Sequence, residues 1–111
     1  MLMLPEMIRV TQFSSRPYGR YPEHGPHNGQ RFREEILLPA LRANDDVIVV
    51  DLDGARGLGP SFLEEVFGGL IRAGFTREEL AQRLRIKSDS DPSYLTEIQS
   101  YIDEEAQRST H

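Results

Sequence analysis

The chain has 111 residues, of which 38% are hydrophobic and 28% charged, and its formal net charge is −5 at pH 7. This size and composition are typical of one small folded domain with a single core. The lack of cysteine excludes disulfides and thiolate chemistry, no apolar run approaches the roughly 20 residues that cross a bilayer, and the acidic balance argues against general binding to nucleic acid backbones.

We therefore expect residues 1–111 to form one domain with frayed ends at 1–6 and 107–111. The start of the chain lacks the basic region and the long apolar run of a signal peptide. Together with the missing cysteines, this favours a cytoplasmic location.

The first predicted strand covers residues 7–13, where apolar and polar side chains alternate. Residues 14–29 are rich in Ser, Pro, Gly, Tyr and His without a regular period, which predicts a long loop, and loops of this length often carry function. A helix is predicted from Asn28, a good N-cap residue, and Pro39 should bend or end it. The buried stripe of this helix is expected to comprise Phe32, Ile36, Leu37, Ala40 and Leu41.

The central segment of the chain is VIVVDLDGARGLGPSFLEEVFGGL, residues 47–70. Its β-branched run at residues 47–50 predicts a strand that is covered on both faces. The glycine-rich stretch that follows predicts an open turn containing Asp53, Gly57 and Gly59.

A central helix is predicted to follow this turn. Pro60 suits the first turn of a helix, and Ser61 with Glu64 fits a capping box. The apolar stripe of the helix is expected to comprise Phe62, Leu63, Val66, Phe67, Leu70 and Ile71.

The last third of the chain predicts two helices and one strand. Gly74 is expected to end the central helix, and Thr76 with Glu79 fits a second capping box. Residues 84–87 alternate and predict a short edge strand, and Pro92 should open the last helix.

The resulting order of β, loop, α, β, α, α, β, α favours an α/β layer fold. The segments GQRFREEILLPAL, VIVVDLDG and GLGPSFLEEVFGGLIR resemble the bacterial STAS-like domain family of unknown function, and the likeness continues through LRIKSD to the last helix. The resemblance implies a small mixed sheet of about three or four strands, flanked by about four helices.

STAS domains include the anti-sigma factor antagonists, in which an ATPase-type kinase phosphorylates a serine at the start of the central helix. Phosphorylation breaks the complex between the two proteins. The resemblance places Ser61 at that position, although Gly59, Pro60 and Phe62 depart from the family's Asp-Ser-Ser-Gly run. Phosphate there would meet free N–H groups and the helix dipole, and would be repelled by the nearby glutamates. The alternative is that Ser61 only caps the helix.

The loop at residues 16–29 suggests a second site. Arg20, His24 and His27, with the start of the next helix, would hold a phosphate or carboxylate. Tyr18 and Tyr21 would stack on a base or on a partner side chain. STAS relatives are reported to bind nucleotides, so the resemblance allows a nucleotide here, and the alternative is a plain surface loop.

Catalytic and metal chemistry are not predicted. His24 and His27 lack a third ligand, so they do not make a metal site. Asp51 and Asp53 would serve either as a paired acid or as acceptors for turn N–H groups, and Ser61 has no assigned base. We predict no cofactor and no enzymatic activity.

Two functional hypotheses follow. In the first, the chain is a non-enzymatic interaction module that presents the start of its central helix to a histidine-kinase-like ATPase, with Ser61 as contact and phospho-acceptor. In the second, it senses a nucleotide or another anion through the loop at residues 16–29. Neither hypothesis involves nucleic acid or a membrane, and the oligomeric state is left open.

Overall fold

The computed structural model describes residues 6–109, which form three strands and five helices. The strands are β1 (Glu6–Arg9), β2 (Ile48–Asp51) and β3 (Leu84–Lys87). The helices are α1 (Val10–Phe13), α2 (residues 29–43), α3 (residues 60–72), α4 (Arg77–Arg83) and α5 (Ser93–Arg108). Most of the predicted frayed ends lies outside the described residues, but Glu6 is in β1, Gln107 and Arg108 continue α5, and Ser109 is the C-cap of that helix.

The sheet has β2 at its centre, paired in parallel with β1 on one side and with β3 on the other. The register sets Val50 opposite Ile8 in β1 and opposite Ile86 in β3. The predicted α/β class with a small sheet is confirmed, and the β-branched run does form the covered strand. A mixed sheet was expected, but both described strand pairs are parallel. The pairing is parallel because helices connect each strand to the next.

The first strand is shorter than predicted, since Val10–Phe13 form the helical turn α1 instead of continuing β1. In a strand, Val10 and Phe13 would point to opposite faces, whereas a helical turn directs both to one side. Val10 is fully buried, and the Phe13 ring lies 5.3 Å from that of Phe32 in an edge-to-face contact. Packing of both side chains on one side, with Val10 buried and Phe13 partly buried, therefore favours the turn over the strand that the alternation predicted.

Helices α2 and α3 each contain a wider π-helical turn, at Arg33–Leu37 in α2 and at Glu64–Gly68 in α3. Pro39 does not end α2, which continues to Ala43. The wider turn precedes the proline and leaves room for a ring that would clash in a regular helix. Across residues 6–109, every helix is too short or too polar to cross a bilayer.

The predicted stripe of α3 is confirmed and supplies much of the core. Its six members have at most 7% of their surface exposed: Phe62, Leu63, Val66, Phe67, Leu70 and Ile71. From α2, the core receives Phe32, Leu37, Leu38 and Leu41, while Ile36 and Ala40 are partly buried. α3 is thus anchored along one face, which fixes the position of its N-terminal end.

The end of α3 and the start of α4 follow the predictions for residues 74–79. Gly74 has φ of +113°, and Phe75 N–H donates to the Leu70 carbonyl at 3.1 Å, as in a Schellman motif. The Thr76 hydroxyl accepts from Glu79 N–H at 3.0 Å, and the Glu79 carboxylate accepts from Thr76 N–H at 2.9 Å. The predicted capping box is therefore confirmed.

The first predicted capping box, at Ser61 and Glu64, is wrong. α3 begins at Pro60, its N-cap is Gly59, and no side chain caps it. Because the fixed φ of proline suits the first helical position, the residue before it becomes the N-cap. Ser61 is left at the second position of the helix, with its hydroxyl free of a capping role.

Candidate functional site

A cavity of about 290 Å³ opens at the N-terminal end of α3. The loop before α2 forms one wall, and the turn between β2 and α3 forms the other. The cavity is lined by Tyr18, Gly19, Arg20, His24, Gly57, Gly59, Pro60, Ser61 and Phe62. The structure thus brings together five of the predicted site residues, namely Arg20, His24, Gly57, Gly59 and Ser61, whereas Tyr21, His27 and Asp53 do not line this cavity.

Ser61 is exposed at the mouth of this cavity. The backbone N–H groups in the first turn of a helix have no partner within the helix, and no side chain caps this one. The free N–H groups and the helix dipole favour negative charge at this position. The arrangement therefore suits a hydroxyl that a docking protein contacts or modifies.

The turn that leads into α3 depends on glycine at one position. Gly57 has φ of +66°, in the left-handed region where a β-carbon is disfavoured. Leu58 beside it is buried and holds the turn on the core. Gly59 has ordinary backbone angles, and a β-carbon there would meet nothing within 4 Å. Gly57 therefore shapes the turn, while Gly59 borders open space.

The loop wall is ordered by backbone hydrogen bonds although it contains little regular structure. Tyr18 N–H donates to the His27 carbonyl at 2.9 Å, and Gly29 N–H donates to the Gly19 carbonyl at 2.9 Å. One 3-10 turn, Pro22–His24, lies between these contacts. The long loop predicted from composition is confirmed, and it folds back onto the start of α2.

The two histidines of this loop serve its packing. His24 Nδ1 accepts from the backbone N–H groups of Arg20 and Tyr21, each at 3.1 Å. The His27 ring lies edge-on to Phe13, with 5.2 Å between ring centroids. No group of three potential metal-ligating side chains occurs within residues 6–109.

Arg20 is engaged by carboxylates. Its guanidinium pairs closely with Glu64 and lies 3.3 Å from Glu65. The hydrogen bond to Glu64 is the largest cause that raises the pKa of Arg20. An incoming anion would therefore have to compete with two glutamates for this cation. The pairing of Arg20 with these glutamates was not predicted from the sequence.

These contacts belong to a larger set of ion pairs, which we call the α3 charge network and which comprises Arg20, Arg33, Glu64, Glu65, Arg72, Glu105 and Arg108. The buried Glu65 accepts from Arg33 at 2.6 Å. Arg72 donates to Glu64 and to Glu105, each at 2.8 Å, and so joins α3 to α5. The sequence reasoning missed this network because its partners lie far apart in the chain.

Burial raises the pKa of Glu64, but hydrogen bonds from Arg72 and Arg20 lower it overall. The charges of Glu64 and Glu65 are therefore matched by arginines. The repulsion that we expected these glutamates to exert on a phosphate at Ser61 is correspondingly reduced.

Asp53 holds the turn that follows β3. Its carboxylate accepts from Lys87 Nζ at 2.8 Å, from Ser90 N–H at 3.0 Å and from Asp89 N–H at 3.1 Å. The Lys87 hydrogen bond, followed by those from Ser90 and Asp89, lowers the pKa of Asp53 well below its usual 3.8. Asp51 in turn accepts from Asp53 N–H at 2.9 Å. Both aspartates thus act as acceptors in turns, which was one of the two predicted roles.

A larger groove of about 580 Å³ lies at the opposite end of α3, where α4 begins and α5 ends. Its charged lining includes Arg77 and Asp103, whose side chains are 3.5 Å apart. None of the predicted site residues lines it. The cavity at the N-terminal end of α3 is therefore the better candidate site.

A family model described as a STAS-like domain of unknown function matches residues 28–94, more than half of the chain. No significant match was found among curated proteins or among solved structures. The matched segment contains the central strand, all of α3 and Ser61, whereas the loop wall at residues 14–27 lies outside it. One wall of the cavity thus lies within the family match, and the loop wall lies outside it.

Proposed function

Because the chain belongs to the STAS-like domain family of unknown function, we propose that it is a non-enzymatic module that binds a protein partner through the N-terminal end of α3. The observation that carries this proposal is the exposed Ser61 at the mouth of a cavity, on a helix that no side chain caps. A docking protein would reach the hydroxyl, the free N–H groups and both cavity walls together.

We further propose that Ser61 is a phospho-acceptor and that the partner is a histidine-kinase-like ATPase, as the resemblance to anti-sigma factor antagonists implies. A phosphate would add a charge of about −2 at a helix start, where N–H groups and the dipole favour it. Pairing of Glu64 and Glu65 with arginines supports the proposal, since it limits repulsion.

A non-enzymatic role is supported by the surroundings of the hydroxyl. Within residues 6–109, Ser61 has no hydrogen-bonded histidine or carboxylate that would activate it as a nucleophile. His24, the one histidine in the cavity lining, uses Nδ1 to accept two backbone N–H groups. The chain would therefore receive a phosphate rather than transfer one.

Phosphate labelling tests the modification. The purified chain is incubated with ATP and extract from the cells that encode it, and phosphorylated residues are mapped by mass spectrometry. We expect label on Ser61, lost in Ser61→Ala and retained in Thr96→Ala, which removes an exposed hydroxyl on α5. Label confined to other residues would contradict the phospho-acceptor role.

Docking is tested independently of phosphorylation by a bulky substitution. Ser61→Trp should reduce capture of the partner by about tenfold or more, because the new side chain fills the site of contact. Thr96→Trp is the matched control on α5. Equal capture by both variants, with unchanged melting temperatures, would exclude the N-terminal end of α3 as the docking surface.

An anion sensor is the second candidate, and the cavity itself supports it, since its volume approaches the small end of ligand sites. The engagement of Arg20 and His24 within the protein weighs against it. The test is the rise in melting temperature that ATP or inorganic phosphate causes in the wild-type protein and in Arg20→Ala, each compared with the same protein without ligand. A rise in the wild-type protein that is lost in Arg20→Ala would favour the sensor over the interaction module.

A further inference from the structure

Two exposed arginines lie in the two chain segments that form the cavity walls, and neither has an ion-pair partner among the described residues. Arg16 lies in the loop wall, and Arg56 lies in the turn before α3. Arg56 N–H donates to the Ser15 carbonyl at 2.8 Å, which holds the two segments side by side. Within residues 6–109 neither guanidinium is paired with a carboxylate, so both are open to a partner.

Two exposed aromatic side chains accompany these arginines. Tyr18 lines the cavity and is 68% exposed, and Tyr21 in the same loop is 40% exposed. Tyrosine and arginine are enriched at the centres of protein interfaces, where a flat ring and a guanidinium each make many contacts. We call Arg16, Tyr18, Tyr21 and Arg56 the rim.

The acidic residues around the rim do not cancel its charge. Glu64 and Glu65 are matched by the arginines of the α3 charge network, and Asp53 is paired with Lys87. Glu23 is the one acidic residue in the loop at residues 14–29, and it is exposed. The rim is therefore locally basic on a chain whose net charge is −5.

We propose that the rim receives an acidic segment of the protein partner, which sets carboxylates on Arg16 and Arg56 and an apolar side chain against Tyr18. This partner chemistry rests on the proposed function and adds to it the charge of the surface that docks. Complementary charge at an interface guides encounter and selects the partner. The acidic remainder of the chain would repel nucleic acid and anionic lipid, so a protein with a local acidic segment fits better.

Photo-cross-linking from the rim tests this proposal directly. The full chain carrying Tyr18→p-benzoylphenylalanine is irradiated in extract of the cells that encode it, and the cross-linked peptide is sequenced. We expect a peptide of net negative charge, with a yield that falls as the salt concentration rises from about 0.05 M to about 0.5 M.

Charge reversal supplies the matched comparison. Arg16→Glu with Arg56→Glu should lower the cross-linking yield by about tenfold, because two attractions become repulsions. Arg42→Glu is the control, since Arg42 is exposed on α2 and lies outside the cavity. Melting temperatures establish that every variant remains folded.

The outcomes separate this proposal from the proposed function. A cross-linked peptide that is neutral or basic overturns the acidic segment and leaves docking at this end of α3 intact. Cross-linking of nucleic acid or lipid in place of protein overturns the choice of partner class. No cross-link at position 18, with efficient capture from the same cross-linker at Leu95 on α5, overturns both proposals.

Discussion

The α3 charge network and the rim meet in the loop at residues 14–29, which carries Arg20 and three of the four rim residues, but they differ in how their charges are used. In the network, every arginine has a carboxylate within 3.3 Å, and Glu65 and Glu105 are buried. In the rim, Arg16 and Arg56 have no such partner among the described residues, and Tyr18 is largely exposed. The network therefore joins helices, while the rim is available for binding.

This difference shows why charge content alone does not identify a binding site. Arg20 was predicted to hold an anion, yet it contacts two glutamates of α3. Arg16 lies in the predicted loop but was not among its candidate site residues, yet it is exposed there without an ion-pair partner among residues 6–109. Substitutions in the network should reduce stability, and substitutions in the rim should reduce only binding.

The largest effect is expected from Glu65→Ala. Removal of this buried carboxylate leaves Arg33, whose side chain is only 12% exposed, without its closest carboxylate partner. Breaking a buried ion pair in this way should lower the free energy of unfolding by about 3 kcal/mol, measured by urea denaturation. Glu104→Ala, at an exposed position on α5, should change it by less than about 0.5 kcal/mol. A loss below about 1 kcal/mol for Glu65→Ala would contradict a structural role for the network.

A smaller effect is expected from Gly29→Ala, which tests the approach of α2 to α3 that brings Arg33 to Glu65. A β-carbon at Gly29 would lie 2.9 Å from the Phe62 carbonyl oxygen and 3.0 Å from Glu65 Cβ. The resulting strain should outweigh the better helix propensity of alanine and cost about 1–2 kcal/mol. Gly59→Ala, which has open space around the added carbon, should cost no more than about 1 kcal/mol, the difference between glycine and alanine as an N-cap. Equal costs at the two positions would show that the close approach is not required.

A third prediction concerns Asp53, whose side chain is 22% exposed against 6% for Glu65, and which should therefore contribute less than Glu65 does. Because its pKa is lowered in the folded state, its contribution to stability is complete above its ordinary pKa of 3.8 and is lost as the pH falls below that value. The difference in urea midpoint between the wild-type protein and Asp53→Asn should therefore be largest near neutral pH and shrink in acid. If the difference in urea midpoint stays constant as the pH falls, the ion pair between Asp53 and Lys87 does not cause that difference.

Much of the fold was predictable because it follows from local patterns. The β-branched run gave β2, the apolar period gave α3, and Thr76 with Glu79 gave the start of α4. The start of α3 was mispredicted because two capping patterns overlap there. Pro60 fits the first helical position and Ser61 fits the N-cap, and the proline rule decides between them.

The site was less predictable, because its residues come from segments that are far apart in the chain. Loop and turn residues were each suggested by sequence, but the ion pair between Arg20 and Glu64 joins positions 44 residues apart. One signal was available for the network. Glu65 falls beside Val66 on the buried face of α3, and a buried carboxylate requires a cationic partner.

The smallest effect on stability is expected at Ser61, which lines the cavity and lies outside the α3 charge network. Ser61→Ala should change the free energy of unfolding by less than about 0.5 kcal/mol, because the hydroxyl caps no helix. Thr76→Ala is the matched comparison: its hydroxyl does cap α4, and its loss should cost about 1 kcal/mol. Equal destabilisation by the two variants in urea would mean that the Ser61 hydroxyl serves the fold after all. If Ser61→Ala leaves stability unchanged and abolishes phosphate labelling, the effect on labelling cannot be attributed to unfolding, and Ser61 acts through what binds or modifies it.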